Sequence, residues 1–169
     1  WFIYEHPVLT QVGSPNMEYL LANAERFQKS IGAERVNEKI ATAFDLQLTN
    51  MITGRDRQSG MEAIDKVEKE MEKYEFPSKS RLKLFVEIAR VQKSGDVEKL
   101  LQVCEKNIPQ IEHEHLLAMF FPLSLTIKRN GNEDQQQRIL KLAKTLLAET
   151  TNDKFKFSLG QFIPYALEK

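Results

Sequence analysis

The amino-acid sequence predicts an all-α protein, seven to eight helices packed as stacked antiparallel pairs. Three observations carry this. Every long segment repeats its apolar residues every three or four positions, and none alternates with a period of two. Seven glycines and six prolines in 169 residues are too few for a β-rich or disordered chain. Short polar turns containing glycine recur at Gly60, Gly95 and Gly131, spacings of 35 and 36 residues.

The clearest pair lies between Arg81 and Gln110. In its first helix Leu82, Phe85 and Ala89 sit beside Leu84, Ile88 and Val91, a broad stripe. In its second, Val97, Leu100, Leu101, Cys104 and Ile108 fall on one helical face. Between them Gly95 suits a left-handed helix end and Asp96 an N-cap, while Pro109 stops the second helix.

The other elements follow the same logic. Residues 1–13, with Pro7 and Gly13 as breakers, read as a linker or tail, and residues 14–169 as one helical domain. Ser14-Pro15 is a helix start, an N-cap followed by proline in the first turn. The first helix is expected to reach Ile31 with Met17, Leu20, Leu21, Ala24 and Phe27 inward. A second spans Glu34 to Ile52 on Val36, Ile40, Phe44, Leu48 and Met51. A third carries Met61, Ile64, Val67, Met71 and Tyr74 and stops at Phe76-Pro77.

After the central pair, a helix from Glu112 to Arg129 looks buried on most sides. Pro122 is expected to kink or split it, because proline removes a backbone donor and crowds the preceding turn. The next helix begins with Asn132, Glu133 and Asp134 and buries Ile139, Leu142, Ala143, Leu146 and Leu147. A last aromatic segment, Phe155, Phe157, Leu159, Phe162 and Tyr165, is interrupted by Gly160 and Pro164 and is expected to cap the stack. The recurring basic–small–Gly–Asx order at Lys93–Asp96 and Arg129–Asn132 makes the whole a TPR-like superhelix, since periods near 34 belong to helix-turn-helix solenoids.

Composition narrows the function classes. Lys plus Arg equals Asp plus Glu at 24 each, interspersed, so nucleic acid and anionic membrane are not the expected partners. The longest apolar run, Leu116 to Leu125, is too short to span a bilayer. A chain opening at Trp1 without Met or a signal core is expected to be a processed chain or a fragment.

No Walker A, GxSxG or dinucleotide fingerprint appears, so no cofactor is expected. Glu112-His113-Glu114-His115 is the one stretch with metal-ligand residue types. On a helix His113 and His115 point about 200° apart and cannot share an ion. The single thiol, Cys104, sits in an apolar stripe and is expected to be buried and inert. Neither a catalytic nor a metal site is assigned.

The N-terminal third resembles the region following the thioredoxin domain in bacterial cell-envelope thioredoxin-like proteins. The resemblance rests on Trp1-Phe2-Ile3, Ser14-Pro15-Asn16-Met17-Glu18-Tyr19-Leu20-Leu21, Asn23, Phe27, Ile31-Gly32 and Val36-Asn37. It implies a thiol-disulfide oxidoreductase as parent and a periplasmic or envelope location. Both cysteines of that family's CxxC motif lack counterparts here, so this chain is expected to be a noncatalytic accessory domain for protein docking. An independent TPR-like adaptor is the alternative. The expected partner is a protein, either the chain's own thioredoxin-like domain or a client peptide. Candidate contacts are Trp1 near the junction, Arg81, Glu87 and Arg90 on the first helix of the central pair, and Lys128.

Overall fold

The computed structural model describes residues 15–54, 60–110 and 113–168, with side chains except at 15–17, 110 and 113–118. Among the described residues there are nine α-helices, a 3-10 turn, a π turn and no strand. The chain divides into two compact units, Trp1–Arg90 and Val91–Lys169.

In the first unit, α1 (Pro15–Ala22) and α2 (Ala24–Ile31) replace the single helix expected up to Ile31. The break is at Asn23, at φ −111° and ψ 12°. Its side-chain amide and its backbone N–H both donate to the Tyr19 carbonyl, at 2.9 and 3.1 Å. A short polar side chain competing for helix carbonyls loosens the turn it belongs to. Of the expected inward residues there, Leu20 and Ala24 are buried, while Leu21 and Phe27 are half-buried.

Helix α3 (Ala33–Ile52) begins after Gly32, which takes the positive φ of 93° that separates it from α2. Its face of Val36, Ile40, Phe44, Leu48 and Met51 is buried as its spacing predicts. Each such side chain is worth about 1.5–3 kcal/mol when fully withdrawn from water. Both α1 and α2 pack on α3, as does α4 (Met61–Met71), through Ile64, Val67 and Met71. Two residues expected inward on α4 lie elsewhere. Met61, the first residue of the helix, is 46% exposed, and Tyr74 falls beyond the helix end and is half-buried. Phe76 instead turns inward, its ring 6.3 Å from that of Phe44.

Helix α5 (Lys79–Ser94) buries Leu82, Phe85, Val86, Ile88 and Ala89. Its residues through Arg90 belong to the first unit and the rest to the second.

In the second unit the turn at Gly95-Asp96 has the expected chemistry. Gly95 adopts φ 72°, and the Asp96 carboxylate accepts from the Lys99 N–H at 3.0 Å to start α6 (Val97–Asn107). Leu100, Leu101 and Cys104 are buried, and the 3-10 turn Ile108–Gln110 closes the helix with Ile108 inside. Helix α7 (His113–Asn130) passes through Pro122 without splitting. Two hydroxyls in the following turn satisfy nearby carbonyls: Ser124 donates to Phe120 and Phe121, and Thr126 donates to Pro122 at 3.0 Å. Burial of Phe120, Leu123 and Ile127 around the proline holds the helix together against its lost donor.

Helix α8 (Glu133–Glu149) opens with a complete capping box. Asn132 accepts from the Gln135 N–H, and the Gln135 side chain accepts from the Asn132 N–H, both at 3.0 Å. Ahead of it, Gly131 is required for room rather than for φ, because a Cβ there would lie 2.6 Å from the Ile127 carbonyl oxygen. Helix α9 (Asp153–Phe162) is capped by Asn152 and runs into the π turn Ile163–Leu167. Within this unit α8 packs against α6, α7, α9 and the π turn.

Candidate functional site

The candidate contact residues separate into those tied to neighbouring helices and those presented to solvent. Arg81, in the first turn of α5, reaches back to Asp45 of α3, Nη2 to Oδ2 at 3.1 Å. Arg90 spans from α5 to α4, its Nη2 2.6 Å from both Asp65 Oδ1 and Glu68 Oε2. Lys128 of α7 donates to the Leu167 carbonyl at 2.9 Å and so closes the π turn. Three of the four numbered cationic and acidic candidates thus connect elements inside their own unit; Glu87 is exposed. Trp1 lies outside the described residues.

A fourth tie, hidden from sequence reasoning, joins α6 to α8. Arg138 grips Glu105 with two nearly parallel bonds and also reaches Glu98, Nη1 to Oε1 at 2.9 Å. Glu98 additionally accepts from the side chains of Gln135 and Gln102, at 2.9 and 3.0 Å. These bonds, from Gln135 first and then Arg138, hold the Glu98 carboxyl down at about 2. The partners are 33 and 40 residues apart, so no local pattern announces them.

The remaining chemical candidates behave as packing elements or lie outside the described residues. Cys104 is fully buried, and burial pushes its thiol up to about 12, the opposite of what a nucleophile needs. Glu112 and the side chains of His113, Glu114 and His115 lie outside the described residues. Among the described residues no group of three His, Cys, Asp or Glu side chains is placed to hold a metal ion. No described helix is long and apolar enough to cross a membrane.

In the first unit a polar depression is lined by Glu25 and Gln28 of α2 with Lys73 and Tyr74 beyond α4. It is braced by Gln28 donating to Asn37, which donates in turn to the Glu75 carbonyl, at 3.0 and 2.9 Å. Burial raises the Tyr74 phenol above its usual range.

The aromatic C-terminal segment divides into two faces. Phe155 and Leu159 are fully buried, and Phe162 stacks on Phe121 with ring centroids 4.4 Å apart. Phe157 and Tyr165 point the other way and are 72% and 75% exposed, the most exposed large apolar side chains among the described residues. They are two exposed aromatic side chains on an otherwise well-packed unit. Comparison with protein-family models, with curated proteins and with solved structures finds no match for the chain.

Proposed function

We propose that this chain is a noncatalytic docking domain, its helix pairs stacked as a TPR-like superhelix, that extends a thioredoxin-like thiol-disulfide oxidoreductase of the bacterial envelope or periplasm. The reading is carried by the exposed Phe157 and Tyr165, which offer contact area on a unit where Arg138 and Lys128 are engaged in ties between its own elements. The resemblance of Trp1 to Asn37 supplies the parent, whose redox chemistry would reside in a domain preceding Trp1. In this arrangement Trp1 anchors the junction and the helical domain holds a protein client near the dithiol.

The test begins with the coding sequence upstream of Trp1, which should encode an α/β domain with a CxxC motif. In the two-domain protein, Phe157→Ala should slow reduction of a disulfide-bonded protein client several-fold and leave reduction of a small aromatic disulfide unchanged. Equal rates on the protein client would exclude docking through this face.

The adaptor reading has an observation of its own. Gly95-Asp96 and Gly131-Asn132 start α6 and α8 with the same cap, Asx accepting from the N–H three residues on. Repeated helix-turn-helix units make such junctions, and they need no catalytic partner. An upstream sequence without a CxxC motif would favour this adaptor.

A further inference from the structure

We draw no further inference here: the strongest candidate, the exposed aromatic patch of Phe157 on α9 and Tyr165 in the π turn, belongs to the face already described, and nothing in the structure shows what covers it.

Discussion

Arg138 and Glu105 meet as two planar groups edge to edge, Nε to Oε1 at 3.0 Å and Nη2 to Oε2 at 2.6 Å. A lysine could not reproduce that geometry, because an ammonium is a point charge without the fixed fork. Arg138→Lys should therefore lower the melting temperature of the second unit nearly as much as Arg138→Met. Calorimetry checks this, and full retention by lysine would mean that charge alone matters.

The same tie carries a pH dependence. The Glu98 carboxyl is depressed from 4.5 to about 2 in the folded chain, chiefly by its bonds from Gln135 and Arg138. Its contribution is fully present above the unfolded value of 4.5 and is lost as pH falls toward about 2. Urea unfolding at pH 6 and pH 3 should show wild type losing more stability than Glu98→Gln over that interval. Parallel losses would assign the acid sensitivity to other carboxylates.

Cys104 should react slowly with a thiol reagent at pH 8 in the native state and quickly in urea. Its side chain is fully buried and its thiol sits at about 12, so closed-state reaction is blocked by both access and ionisation. Rapid native labelling would require α6 to open locally.

Three glycines separate three physical causes. Gly95→Ala forces a Cβ onto a residue at φ 72° and should cost about 1 kcal/mol. Gly131→Ala drives a Cβ against the Ile127 carbonyl, 2.6 Å away, and should cost more, about 1–3 kcal/mol. Gly160→Ala meets nothing within 4 Å inside a helix and should stabilise by about 0.5–1 kcal/mol. Chemical denaturation of the three variants checks the order, and a neutral Gly131→Ala would show that α8 can shift to accommodate the methyl.

Much of this fold can be read from local spacing. Of the stripe Val97, Leu100, Leu101, Cys104 and Ile108, all but the half-buried Val97 are buried, and Asp96 and Asn132 cap as their positions beside glycine suggest. These signals lie within one or two helical turns. What escapes is what distance or competition decides. The break at Asn23 depends on a side-chain amide choosing the Tyr19 carbonyl. The unbroken passage through Pro122 depends on burial around Phe120, Leu123 and Ile127. Arg81, Arg90 and Lys128 look like surface charges in one dimension, yet their partners lie 36, 25 and 39 residues away. The surface aromatic pair was half legible. An aromatic-rich tail stands out, but a period alone cannot tell which of Phe155 and Phe157 faces inward; the packing of α9 on α7 and α8 decides it, with Phe155 buried and Phe157 exposed.

The Lys128 bond to the Leu167 carbonyl bears on the order in which the second unit comes apart. The final carbonyls of a terminal helix ordinarily look to water, and such ends open and close independently of the body. Here the Glu168 N–H donates to Ile163 across the π turn while the Leu167 carbonyl accepts from a side chain on α7. Amide hydrogen exchange in the last turn should consequently report the opening of α7, with protection falling when Lys128 is replaced by methionine. The C-terminal turn then acts as a latch whose release is set 39 residues upstream.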